Sequence, residues 1–269
     1  MRLSIIITNY KNPELLKVCL DSIRKNCHVQ NFEIIVADSE TQEKTEMMMR
    51  EDYPDIQFLP SAENIGFGET MRRGYNLSRG EFILILNGDI IIKENSVEKL
   101  IEYQGNNPTV GIVGPQLLNF NETLQYSCFR FYTPLTVLYR RTILGRLPFA
   151  KRHIDRFLMK DFDHRHPQEV DWLMGSAMLT KRECVEKVGL IDRRFRMYFE
   201  DTDWCRRFWE NKLKVIYYPD AKMYHYHGKG SANKNIFASL FSNKLAWLHI
   251  LSGIKYFLKY ANKKKPAHG

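Results

Sequence analysis

The chain lacks the features that announce the commonest nucleotide sites. No GxxxxGK[ST] occurs, and the turn after the first strand-like run, "TNYKNPEL", contains no glycine. Both phosphate-cradling loops need glycine where the backbone approaches the ligand, so a P-loop and a dinucleotide fingerprint are excluded. There is no CxxC: Cys19, Cys27, Cys128, Cys184 and Cys205 are scattered and odd in number. That spacing argues against a structural zinc site and for a reducing compartment. The longest apolar runs, such as "FILIL", are strand-sized and far short of the ~20 residues a membrane-spanning helix needs. The opening "MRLSIIITNY" has neither the core nor the cleavage site of an export signal and reads as a first strand. Acidic residues are absent beyond Asp220, where nine lysines follow.

What is present indicates a globular chain. Its 269 residues are 44% hydrophobic, enough for one large core or two smaller ones. The net charge of +9 gathers in the lysine-rich tail and in "YRRTILGRLPFAKRHIDRF" from Tyr139. Basic patches of this kind attract phosphate, whether on a nucleotide, a lipid headgroup or a nucleic acid.

Strand-like and helix-like segments alternate through the first half. "LSIIIT" is a buried strand, Asn12 an N-cap, Pro13 a first helical residue, and Leu15, Leu16, Cys19, Leu20 and Ile23 recur at helical spacing. "FEIIVA" ends at Asp38, a polar helix runs to about residue 50, and "IQFLP" is a third strand. Residues 66–77 form a loop entering a helix, "EFILIL" ends at Asn87, a helix spans about 95–103, and "VGIVGP" is a fifth strand. Strands apolar on both faces and separated by helices predict an α/β fold with a mostly parallel sheet covered on both sides. The second half is less regular. Residues 117–169 give few periodic signals, "VDWLMGSAML" reads as a strand, "KRECVEKVG" as a short helix stopped by Gly189, and "KVIYYP" as a strand. No linker divides the chain. The expected organisation is one catalytic domain, 1–231, with a helical and basic appendage, 232–269.

Ligands of such sheets collect at the carboxyl ends of strands. Thr8-Asn9-Tyr10, Asp38-Ser39 and Asn87-Gly88-Asp89 all fall there. Asp38 either caps the next helix or accepts a hydrogen bond from a ligand such as a pyrimidine imide. The "NGD" triplet is either a hairpin turn or a place where Asp89, with Asn87 beside it, offers oxygen to Mg²⁺ or Mn²⁺. "NIGFGE" is either a glycine turn or part of a nucleotide loop. In "YFEDTDWC" three acidic residues open a helix between aromatic side chains. Helix capping explains one of them; Asp201, with apolar walls and carboxylate neighbours to tune it, suits general-base work. His225 and His227 alternate on an extended segment, so one of the two faces the cleft.

Taken in order, "SIIITNYKNPELLKVCLDSI", "IIVADSE", "NIGFGE", "FILILNGDIII", "DWLMGSAMLTKRE", "GLIDRRFRMYFEDTDWCRR" and "YYPDAKMYHYHGKGS" resemble the family-2 inverting glycosyltransferases of the GT-A fold, and among them the rhamnosyltransferase-like branch. The resemblance covers about residues 2–231. It implies that Asp38 reads the nucleotide base and that Asn64, Gly66 and Phe67 form the loop beside the donor. It implies that Asn87 and Asp89 stand in the DxD-like element, with Asp89 on the metal and His225 completing the metal shell. Trp172, Met174 and Gly175 would line donor sugar and acceptor, with Asp201 the catalytic base and Glu200 its neighbour. Two departures bear on the donor: Ser39-Glu40 stand where the family usually has asparagine and a small residue, and Met71-Arg72 where it often has asparagines.

On that resemblance the expected activity is transfer of a sugar from a nucleoside diphosphate, dTDP-rhamnose first and a UDP-sugar second, to a hydroxyl of a glycan or a polyprenyl-diphosphate-linked glycan. The protein would be cytoplasmic, or peripheral on the inner face of the membrane. Residues 236–260 place Leu245, Leu248, Leu251, Ile254 and Leu258 on one apolar face, with Lys244, Ser252, Lys255 and Lys259 opposite. Such a helix either packs that face on its own domain or lies in a lipid interface. A sugar-phosphate nucleotidylyltransferase would want a glycine-rich basic first loop, which is missing. A nucleic-acid- or lipid-binding module would leave Asp89, Asp201 and His225 unexplained, so no nucleic-acid partner is expected. An inactive transferase kept as a subunit would share the same motifs.

Overall fold

The structure, a computed structural model, describes residues 1–226 and 244–266. Its elements run β1 (Leu3–Tyr10), α1 (Pro13–Asn26), β2 (Phe32–Ser39), α2 (Glu43–Asp52), β3 (Gln57–Leu59), α3 (Phe67–Leu77), β4 (Phe82–Asn87), β5 (Ile90–Ile92), α4 (Ser96–Asn106) and β6 (Val110–Leu118). Then follow β7 (Leu124–Gln125), β8 (Cys128–Phe129), α5 (Pro134–Arg141), a 3₁₀ turn (Ile143–Arg146), α6 (Pro148–Phe157), β9 (Gln168–Glu169), β10 (Trp172–Leu173) and β11 (Ala177–Lys181). The chain continues through α7 (Arg182–Val188), α8 (Glu200–Glu210), β12 (Lys214–His225) and the C-terminal helix α9 (Lys244–Tyr260).

The expected alternation is present, for the expected local reasons. Asn12 accepts from the Leu15 amide and Pro13 opens α1, while Gly189, at φ 85°, stops α7. The main sheet has the order β3-β2-β1-β4-β11-β6-β12-β5. β1 pairs parallel with β2 and β4, and β12 with β6, while β11 runs antiparallel between β4 and β6. Successive residues of β1 feed opposite cores. Ile5 and Ile7 join Leu16, Leu20 and Leu100 on one face, while Ile6 joins Met71, Trp204, Phe208 and Tyr256 on the other. That two-sided burial is why the strand is apolar throughout.

Four expectations change. The turn at Gly88-Asp89 does not close a hairpin: β5 crosses to the far end of the sheet and pairs antiparallel with β12, Ile90 opposite His225. "VDWLMGSAML" is not one strand, because the chain turns at Gly175-Ser176 between β10, which pairs with β8, and β11. Residues 117–169 hold two helices. α5 is fixed by a reciprocal capping box between Thr133 and Thr136, and both α5 and α6 begin at a proline.

The fourth change is the most consequential. α9 turns the side expected to be polar inward. Lys259 Nζ donates to Asp203 Oδ1 at 2.5 Å and Asp192 Oδ2 at 2.8 Å, and the Ser252 hydroxyl donates to the Met197 carbonyl at 2.8 Å. Leu251, Ile254 and Leu258 of the apolar face are exposed, so of the two alternatives that face does not pack on the domain at these positions. The buried Asp203 on α8 and the half-buried Asp192 before it need cations, and that requirement overrides the hydropathy pattern. The first residues expected in this helix, 236–243, the boundary drawn at 231 and His227 lie outside the described residues.

Candidate active site

The carboxyl ends of β1, β2 and β4 and the start of α3 meet in one cleft. Its lining includes Thr8, Asn9, Tyr10, Ser39, Asn64, Gly66, Phe67, Asn87, Gly88 and Asp89 from the sequence expectation, joined by Asn12, Thr70 and Met197. A polar lattice sets these strand ends: Asn9 Nδ2 donates to Asp38 Oδ1 at 2.9 Å, and Thr8 Oγ1 to Asn87 Oδ1 at 3.1 Å. Gly88 must be small, since a Cβ there would fall 2.7 Å from Asn9 Oδ1. Gly66 is required twice over. Its φ is 79°, and a Cβ would meet the Arg196 carbonyl oxygen at 2.5 Å. Through that contact the α3 loop touches the loop that precedes α8.

At one end of the cleft Asp89 faces His225. Asp89 Oδ1 is buried, has no hydrogen-bond partner among the described residues, and lies 3.4 Å from Nε2 of His225. The Gln125 amide nitrogen donates to Asn119 Oδ1 at 3.2 Å, which turns the amide oxygen toward Nδ1 of His225, 2.6 Å away. An amide oxygen beside Nδ1 favours the tautomer with its proton there, and Nε2 is the ring nitrogen on the side of Asp89. A carboxylate oxygen and an imidazole nitrogen facing one another fit a divalent cation. No group of three or more His, Cys, Asp or Glu suited to a metal exists among the described residues, and Asp89 with His225 is the pair this end of the cleft offers.

At the other side lies the acidic triplet. Tyr198 and Phe199 both adopt left-handed backbone, φ 68° and 67°, just before α8. Phe199 is buried against Tyr132, His249 and Tyr256, which hold this turn in place. It delivers three carboxylates to three environments. Asp203 is fully buried and bonded to Arg207, Lys259 and Tyr260. Glu200 is buried, and its Oε2 has no hydrogen-bond partner among the described residues. Burial and the neighbouring Asp201 charge raise its pKa well above the usual carboxylate range. Asp201 is half-buried, with Oδ2 accepting from the Gly175 amide at 3.1 Å and Oδ1 from the Thr202 amide at 2.7 Å. Burial pushes its pKa up to about 6 while these donors hold it down. A Cβ on Gly175 would lie 3.2 Å from Phe67 and 3.4 Å from Asp201, so Gly175 lets the carboxylate approach the cleft wall.

Of the other expected residues, Gly175, Glu200, Asp201 and His225 stand beside the cleft without being among its lining, and two more are turned away from it. Asp38 is buried beneath the cleft rather than lining it, and burial raises its pKa against Thr41 and Asn9, which lower it. Trp172 is not part of the lining. Pairing of β10 with β8 turns its indole onto Phe129, centroids 4.3 Å apart, with Nε1 donating to the Arg130 carbonyl at 2.9 Å. Of the residues sequence reasoning missed, Asn12 was legible only as a helix cap. Met197 and Gln125 carried no local signal.

Residues 1–249 match the family model described as glycosyltransferase like family 2. The chain is 26% identical over 206 residues, 72% of its length and 66% of the relative's, to an N-acetylglucosaminyl-diphospho-decaprenol L-rhamnosyltransferase of Mycobacterium tuberculosis. It is 23% identical to the dTDP-rhamnosyl transferase RfbF of Shigella flexneri, over 84% of this chain and 69% of that one. The chain thus spans about two thirds of the length of these curated relatives. Among solved structures, that of GalNAc-T7 with UDP, GalNAc and Mn²⁺ superposes with a TM-score of 0.62 at 14% identity, over 84% of this chain and 44% of that one. This last likeness is one of fold.

Proposed function

Because the chain belongs to glycosyltransferase family 2 and has the GT-A fold, we propose that it is an inverting transferase that moves a sugar from a nucleoside diphosphate to an acceptor hydroxyl, with Asp201 as general base. The observation that carries the reading is the placement of Asp201. Two backbone amides aim the carboxylate beside Phe67, and its pKa of about 6 keeps it ionised yet basic near neutral pH. In the transfer, the acceptor oxygen forms a bond to the anomeric carbon as the bond to the diphosphate oxygen breaks. The acceptor proton passes to Asp201, and the leaving diphosphate departs with the electron pair. One displacement inverts the carbon, so a single base suffices. Burial and the Asp201 charge both raise the pKa of Glu200, which opposes a second negative charge beside Asp201.

Asp89 and His225 are the residues that would hold Mg²⁺ or Mn²⁺, which when bound offsets charge on the diphosphate. Asn64, Gly66 and Phe67 would flank the donor, with Asp38 beneath the base and Gly175 beside the sugar. The rhamnosyltransferase relatives support dTDP-rhamnose as donor, and the decaprenol-linked name of one supports a polyprenyl-diphosphate-linked glycan as acceptor. Such an acceptor would bring the protein to a membrane face. A UDP-sugar is the second reading, favoured by the UDP in the solved neighbour.

Calorimetric titration of dTDP, UDP and GDP, with and without Mn²⁺, tests this. The expected result is Mn²⁺-dependent binding of dTDP, weakened at least about tenfold in Asp89→Ala. Preference for UDP would select the second reading. A folded protein that binds none of the three would overturn both.

A further inference from the structure

Two acid-free stretches of the chain meet in space. No acidic residue lies between Glu122 and Asp155, and none follows Asp220. The first stretch forms the α5–α6 hairpin and the second contains α9; they touch where Tyr132 meets the His249 ring, centroids 6.4 Å apart. Both expose apolar side chains that a surface facing only water has no reason to keep. On α9, Trp247, Leu251, Ile254 and Leu258 are 51%, 49%, 50% and 73% exposed, at the spacing of one helical stripe. On the hairpin, Leu138, Ile143, Leu147 and Phe149 are exposed, with exposed Arg140, Arg146, Lys151 and Arg152 among them. The other side of α9 is committed to the protein through Lys259, Ser252 and Tyr256, so the stripe is not a misplaced core face.

We propose that the outward stripe of α9 and the adjoining hairpin form one docking surface for an anionic lipid bilayer. Exposed apolar side chains carried with exposed Arg140, Arg146, Lys151, Arg152 and Lys255 on these two acid-free stretches are complementary to acyl chains beneath negative headgroups. No helix among the described residues is long and apolar enough to cross a membrane, so the contact is interfacial. Its geometry relates to the cleft directly. Ser252 of α9 bonds the carbonyl of Met197, a cleft-lining residue, and Lys259 holds Asp203, two positions from Asp201. A docked α9 therefore fixes the base side of the cleft relative to the lipid plane. The purpose of such docking rests on the lipid-linked acceptor proposed above, whereas the surface itself rests on exposure and charge.

The test is co-sedimentation of the full chain with phosphatidylcholine vesicles, with and without phosphatidylglycerol, alongside nucleotide titration as a separate readout. The expected result is binding that requires phosphatidylglycerol and weakens with salt. Leu251→Asn with Ile254→Asn, or Ile143→Asn with Phe149→Asn, should weaken it about tenfold while nucleotide binding stays unchanged. Because all four side chains are exposed, the substitutions leave the core intact. Several outcomes overturn the proposal: no vesicle binding by a protein that binds nucleotide, equal binding to neutral vesicles, or no effect of the hairpin pair. A dimer dissolved by the α9 pair in a protein that ignores vesicles would assign the stripe to a second copy instead. Vesicle binding without nucleotide binding would support the surface and sink the donor-site reading alone.

Discussion

Residues 1–118 and residues 119–226 build the candidate site by different means: the first supply nearly all of the cleft's lining, the second supply Met197 and set Asp201 and Gly175 beside Phe67. In the first region much of the lining sits at the carboxyl ends of buried parallel strands, Thr8-Asn9-Tyr10 of β1, Ser39 of β2 and Asn87 of β4 with Gly88-Asp89 just beyond, and Asn64, Gly66, Phe67 and Thr70 at the start of α3 complete it. Position at the strand ends follows from topology, since a parallel sheet brings every strand's carboxyl end to one edge. In the second region nothing so regular exists. Asp201 is placed by two left-handed residues, an aromatic cage drawn from residues 132, 249 and 256, and the amide of Gly175 at a turn between two short strands. Left-handed backbone at non-glycine residues costs of order 1–3 kcal/mol each and persists only where surrounding packing fixes it. The first wall is suited to holding a ligand of fixed shape, the second to placing one group against it.

If that division is right, its largest consequence lies in turnover. Asp201→Asn should lower transfer by about 10²–10⁴ while nucleotide binding stays near wild type, measured by single-turnover kinetics beside calorimetry. Equal loss of both would mean that the walls do not divide their tasks. Next comes their junction. Gly66→Ala places a methyl group against the Arg196 carbonyl in a left-handed conformation and should destabilise the fold by about 1–3 kcal/mol, read as a shift in the denaturant midpoint. An unchanged midpoint would show that the two loops are not held together there. The mildest test is pH. A base acts when deprotonated, so if Asp201 is that base, with its pKa raised to about 6, kcat/KM should be level above that value and fall about tenfold per unit below it. A profile flat down to pH 5 would remove Asp201 from the role.

The difference between the regions also sorts what was legible. Asn12 with Pro13, Asp89 after a six-residue apolar strand, and Gly189 after "KRECVEKV" could be read because each rule acts within a few residues. Trp172 was misplaced because its setting depends on β8, more than 40 residues earlier in the chain. Which side of α9 meets the domain was not legible for a similar reason. Its periodicity is genuine, but Asp192 and Asp203, which capture Lys259, are distant in sequence. Gln125 had no signal at all, since its role exists only through His225 across the sheet.

The sequence by itself determined the alternating strand-and-helix frame, the polar strand ends at Asn9, Ser39 and Asp89, and the acidic start of α8. Those follow from periodicity, capping and turn chemistry, which are local. Only the tertiary structure decided that Asp89 would face His225, that Gly175 would hold Asp201, and that Leu251 and Leu258 would point away from the protein. Each of these depends on which buried charge or lone pair must find a partner once distant segments pack together. That requirement belongs to the folded chain, not to any one stretch of it.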